Sequence, residues 1–167
     1  MQITQRIAPC LWFDSQAEQA AAFYISVFKN SRFVSVSRYS EAGQETHHRP
    51  AGSVLTVVFE LDGQAFTALN GGPVFKFNEA ISLQVYCDTQ KEIDYYWDAL
   101  SKGGDPSAQQ CGWLKDQFGL SWQVVPRVLN ELLLDHKSDT AKLAMEAMLR
   151  MKKIDIAELE RAVAVAK

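Results

Sequence analysis

The chain repeats itself. Asp14-Ser15-Gln16 returns as Asp88-Thr89-Gln90, and nine residues after each aspartate stands an aromatic, Phe23 and then Trp97. Setting Gly63 against Gly119 extends the match: Phe66 falls on Trp122, Thr67 on Gln123 and Leu69 on Val125. The repeated unit is roughly 60 residues long, a supersecondary module and not a solenoid repeat.

The hydrophobic pattern gives each module the same order of elements. In the first, residues 7–13 (IAPCLWF) read as a strand, and Asp14 and Ser15 are candidate N-caps for a helix running to about Phe28. Residues 32–39 alternate as a strand, a polar loop follows at 40–53, and residues 54–61 and 64–69 form a hairpin about Asp62-Gly63. In the second, residues 80–87 read as a strand, Asp88 and Thr89 can cap a helix, and Gly103, Gly104 and Pro106 end it. Strands follow at 111–117 and 120–126, turning at Phe118-Gly119. The expected fold is α+β: two repeated βαβββ modules, 7–70 and 80–126, within one domain over 1–126, with a C-terminal helical extension over 127–167. In that tail Leu143, Ala144, Met148 and Met151 form an apolar stripe that must cover either the sheet or a second subunit.

Composition narrows the partners. The chain has 167 residues, 47% hydrophobic and 22% charged, with a formal net charge of −3. That balance supplies no excess of cations for phosphates, so no nucleic-acid partner is expected. No run is long enough to span a bilayer, and the N-terminus lacks an apolar core of leader length, so no membrane partner and a cytoplasmic location are expected. Cys10, Cys87 and Cys111 are odd in number and lack zinc-site spacing; they read as reduced, mostly buried thiols.

Four stretches carry a family resemblance: LWFDSQAEQAAAFYISVF, GSVLTVVFELDGQAFTALNGG, CGWLKDQFGLSWQVVP and AMLRMKKIDIAELERA. With the duplicated module, they closely resemble the PhnB-like branch of the vicinal oxygen chelate superfamily, the glyoxalase/bleomycin-resistance group. Many members of that branch carry a demethylubiquinone methyltransferase label. The resemblance implies that the modules curl into a curved mixed sheet around a cavity, and that the chain forms a homodimer. In relatives of known chemistry it also implies four metal ligands, usually His and Glu, on the first and last strands of each module.

Carried over, those four positions fall at Ala8 (or Pro9), Thr67, Ser82 and Gln123. None offers imidazole, carboxylate or thiolate, the donors that a catalytic divalent ion needs. The histidines lie elsewhere, His47 and His48 in the polar loop and His136 in the tail. No metal and no cofactor are therefore expected. The methyltransferase label implies an adenosyl-methionine type cofactor, which commonly sits beside a glycine-rich loop after the first strand; here that strand ends in Asp14-Ser15-Gln16.

Strand alternation sorts the remaining lining. If Thr67 and Gln123 face the cavity, so do Ala65, Leu69, Ser121 and Val125, while Phe66 and Trp122 face the helices. Cys10 and Trp12 face inward on the first strand, matched by Ser82, Gln84 and Tyr86. Cys10, Trp12, Thr67, Ser82, Gln84, Tyr86 and Gln123 are the candidate ligand-binding residues; catalytic residues are not assigned. Such a lining suits an unknown small molecule, flat or partly apolar, bound without turnover. Two alternatives stand beside this. One is a metal-independent enzyme, in which Gln123, Gln84, Tyr86 or Cys10 polarises a small metabolite. The other is a glyoxalase- or dioxygenase-type metalloenzyme, should the four ligand positions lie elsewhere.

Overall fold

The computed structural model describes residues 5–166. The first four residues, part of the segment read for a leader, lie outside the described residues, as does Lys167. The chain forms two compact units that meet at Phe77/Asn78.

The first unit holds β1 (Cys10–Phe13), α1 (Ala17–Val27), β2 (Arg32–Arg38), the short α2 (Gln44–His47), β3 (Val54–Leu61) and β4 (Gln64–Asn70). Its sheet runs β1-β4-β3-β2, with β1 and β4 parallel and the other pairs antiparallel. The hairpin turn forms as expected: Asp62 and Gly63 both take positive φ, 46° and 80°. Leu11, Phe13, Val57, Phe59, Phe66 and Ala68 are buried, as are Ala17, Ala20, Ala21 and Tyr24 of α1. The first strand is shorter than expected. Pro9 has no N–H to offer a ladder, and Ile7 is 89% exposed.

Asn70 ties this unit together. Neither Asp14 nor Ser15 caps α1, whose N-cap residue is Gln16 with no side-chain bond. The cap comes from 53 residues away: Ala17 N donates to Asn70 Oδ1 at 2.8 Å. Asn70 Nδ2 donates to Val54 O at 3.1 Å, and its carbonyl accepts from Tyr39 OH at 2.7 Å. The buried side-chain amide thus joins helix and hairpin, and the main-chain carbonyl of the same residue holds the Tyr39 hydroxyl.

The second unit holds β5 (Leu83–Cys87), α3 (Gln90–Ser101), a 3-10 turn (Pro106–Ala108), β6 (Trp113–Lys115), β7 (Ser121–Pro126) and three tail helices, α4 (Arg127–Leu133), α5 (Asp139–Arg150) and α6 (Ile156–Ala164). Its sheet runs β5-β7-β6, with β5 and β7 parallel. Thr89 caps α3 in a full capping box with Glu92.

Two expectations are corrected here. The α+β repeat holds, but the second copy is βαββ, and the strands lie in two sheets of four and three. Only residues 102–112 separate α3 from β6, too short an interval for a strand and its return, and Gly104 lies so close to the Lys115 carbonyl that a Cβ there would collide with it. Val125 does not line an open face. It is buried in a cluster with Leu129, Ala147, Met151, Ile154 and Leu159. The apolar stripe of the tail therefore covers the end of its own unit's sheet, and it gives no separate argument for a second subunit.

Replacing Asn70 by Ala leaves Ala17 N and Val54 O without their partner. It should cost about 2–3 kcal/mol in urea unfolding. Asn70→Asp keeps the acceptor but sets a buried carboxylate against Val54 O, so it should not restore the lost stability at neutral pH.

Candidate functional site

The candidates divide between the units, and parallel pairing decides which of them meet. In the first sheet Cys10 stands opposite Thr67 and Trp12 opposite Leu69. These side chains point away from α1, since their neighbours Leu11, Phe13, Phe66 and Ala68 are the buried ones. Ala8 and Pro9 lie before the strand, and Thr67 N donates to Pro9 O at 3.0 Å. Trp12 is fixed at both ends of its ring system. Its Nε1 donates to Gly72 O at 2.8 Å, and Phe75 meets it edge-on at 4.9 Å. Gly71 makes this possible, because a Cβ there would overlap the indole. Cys10 is exposed and Cys111 half-buried, against the expectation of mostly buried thiols; partial desolvation by its neighbours raises the Cys10 thiol above its ordinary pKa, so it carries little thiolate at neutral pH.

Sequence reasoning missed a carboxylate on this face. Glu60 stands opposite Ala65, two residues along from Thr67, and so shares the face of Thr67 and Cys10. Its carboxylate takes two bonds from Arg32, at 2.7 and 3.0 Å, and that guanidinium holds it below the usual carboxylate range. Strict alternation from Thr67 across the Asp62-Gly63 hairpin would have placed it there.

The second sheet brings its four candidates into one chain of hydrogen bonds. Tyr86 OH donates to Gln84 Oε1 at 2.7 Å, Gln84 Nε2 to Gln123 Oε1 at 3.3 Å, and Gln123 Nε2 to Ser82 Oγ at 2.7 Å. Gln84 pairs with Gln123 and Tyr86 with Val125, while Trp113 on β6 stands opposite Gln123. The face therefore carries a polar ladder flanked by Tyr86 and Trp113. Arg127 Cζ lies 5.3 Å from the Tyr86 ring centroid, and Arg127 also pairs with Asp88. Trp113 lines a groove of about 380 Å³ with Glu79, Ala108, Gln110 and Cys111. Lys115, on the same face, is paired with Glu79. Ser121 is buried, and its hydroxyl has no partner among the described residues. The neighbouring Asp116 is structural: it accepts from Phe118 N, Leu120 N and Trp122 Nε1, at 2.8, 3.1 and 2.8 Å.

Of the histidines, His47 belongs to the folded 40–53 loop. Its ring lies 4.5 Å from that of Tyr39, and its Nδ1 accepts from Arg49 N at 3.0 Å. Among the described residues, no group of three or more His, Cys, Asp or Glu side chains is placed to hold a metal ion. Nor is any helix long and apolar enough to cross a membrane.

The family model described as 3-demethylubiquinone-9 3-methyltransferase matches residues 5–125. This chain belongs to that family. Among solved structures, it is similar to a putative 3-demethylubiquinone-9 3-methyltransferase, a PhnB protein, from Bacillus cereus. The two share 36% identity over 73% of this chain and 99% of that one, with a TM-score of 0.61. The fold also matches a protein from Pseudomonas aeruginosa at 18% identity, covering 74% of this chain and 98% of that one, with a TM-score of 0.54. A fosfomycin resistance protein, FosX, from Listeria monocytogenes, described as complexed with Mn(II) and sulfate, matches at 14% identity. That match covers 81% of this chain and 99% of that one, with a TM-score of 0.53. No curated protein matches at a significant level. The PhnB-like chain thus shares its fold with the FosX protein.

Because its pKa is raised, Cys10 should react with iodoacetamide more slowly at pH 7.5 than a free cysteine does. Its rate should climb as pH passes the ordinary thiol range, read by mass spectrometry of the alkylated peptide.

Proposed function

We propose that this PhnB-like chain binds a small, flat, partly apolar molecule on the ladder face of the β5-β7-β6 sheet, and does so without the superfamily's catalytic metal ion. The observation that carries the reading is the ladder itself. Gln123 and Ser82 occupy two of the four positions where metal-dependent relatives hold their ligands. Here those two side chains are bonded to each other, and Gln123 Oε1 already accepts from Gln84. The other two positions supply the Thr67 hydroxyl and the methyl or ring of Ala8 or Pro9. Two hydroxyls and an amide do not fit a divalent ion, so no step is derived through one.

What the face offers instead is recognition. Two aromatic side chains flank neutral hydrogen-bonding groups beside a groove, the composition of a small-molecule site. Proton-transfer chemistry finds less support. The Cys10 thiol is raised by partial desolvation and the Glu60 carboxylate is held by Arg32. Pairing of two such chains into a homodimer belongs to the same proposal and rests on the family resemblance; sedimentation at micromolar concentration tests it.

Titration calorimetry with Ni, Zn, Mn and Fe should show no binding at micromolar metal. A fragment screen read by side-chain NMR should give saturable shifts at Trp113 and the ladder residues. One tightly bound metal per chain would overturn the metal-free reading, and a screen that leaves the ladder face untouched would overturn the binding site.

A further inference from the structure

The unspent hydrogen-bonding capacity of the ladder specifies more than a flat ligand. A glutamine amide has two N–H donors and two carbonyl lone pairs. Within the ladder, Gln84 spends one lone pair on Tyr86 OH and one N–H on Gln123. Gln123 spends one lone pair on Gln84 and one N–H on Ser82. Each amide is left with one N–H and one lone pair, and none of these has a partner among the described residues. Turning both amides over reverses the ladder's direction but leaves the same remainder.

The two amides are neighbours, since Gln84 and Gln123 are register partners on adjacent parallel strands. Their planes are fixed by bonds on both sides. Gln84 is exposed and Gln123 half-buried, so the remaining groups can be reached. Trp113 stands opposite Gln123 and Tyr86 lies beyond Gln84 on the same face, each presenting an aromatic surface.

We infer that this face reads the donor–acceptor edge of a cyclic amide: a planar ring whose adjacent N–H and C=O pair with a free amide lone pair and N–H, while the ring packs on Trp113 or Tyr86. The ligand class is a neutral lactam or imide heterocycle. The inference rests on the proposed binding role of the same face. The amide-to-amide match supplies specificity, because a ring lacking the N–H leaves a glutamine oxygen unpaired when the ligand covers it.

2-Pyridone and N-methyl-2-pyridone test this directly, since they differ in the single N–H. In NMR titrations of the full chain, 2-pyridone should shift the side-chain amide signals of Gln84 and Gln123, and it should bind about fivefold to tenfold more tightly than the N-methyl compound. Gln123→Leu should bring the two compounds within twofold of each other. The wild-type amide shifts give a readout that needs no variant, should Gln123→Leu fold poorly. If both compounds bind equally and move Trp113 while the amide signals stay still, the face is a ligand site that does not read an amide edge, and only this inference falls. If neither binds at about 10 mM, the lactam class is overturned, and the fragment screen decides the broader reading on its own.

Discussion

Parallel pairing of the first and last strand of each module is the constraint on which the rest depends. It sets Cys10 against Thr67 and Gln84 against Gln123. A parallel pair needs a crossover, and α1 and α3 supply it, each covering one face of its sheet. The opposite face is then free to carry polar side chains between the positions that still pack, such as Val125. Shifting the β5–β7 pairing by one residue would turn the ladder toward the helix and Trp122 toward water, at a cost far beyond what a few polar contacts could offset.

The two modules share this plan and use it differently. The first closes its sheet with β2 and fastens it through one buried residue, Asn70, whose side-chain amide bonds a helix start and a strand and whose main-chain carbonyl holds a tyrosine. Its free face carries a thiol, hydroxyls and the Arg32–Glu60 pair. The second lacks the fourth strand, and its free face carries neutral amides between aromatics. Duplication preserved the frame while the chemistry of the two faces diverged.

Much of this was legible in the sequence, because the signals were local. Asp62-Gly63 fixes a hairpin through positive φ, and Thr89 with Glu92 fixes a helix start. Alternation alone put Ser82, Gln84, Tyr86 and Gln123 on one side of the sheet. What escaped was long-range. Asp14 and Ser15 looked like caps, yet the cap is Asn70, whose reach across 53 residues has no sequence signature. Glu60 escaped because its pairing with Arg32 depends on the β2–β3 register. Val125 obeyed alternation but met the tail, whose path no periodicity reveals. The hydrogen bonds of the ladder, unlike its membership, needed coordinates.

The tail is wired into the backbone as well as packed on it. Cys111 N donates to Met151 O at 2.8 Å and Gly112 N to Lys152 O at 2.7 Å, while Gln90 bonds Ile154 O and Ile156 N. These bonds reach the residues that lead into β6, and the first turn of α3. The family match ends at residue 125, just where the extension begins. A chain cut back to the matched residues would not be a minimal form of this protein. It would carry exposed donors at the entry to β6 and a stripped apolar end on β7, so what reads as an appendage in the sequence has become a wall of the house.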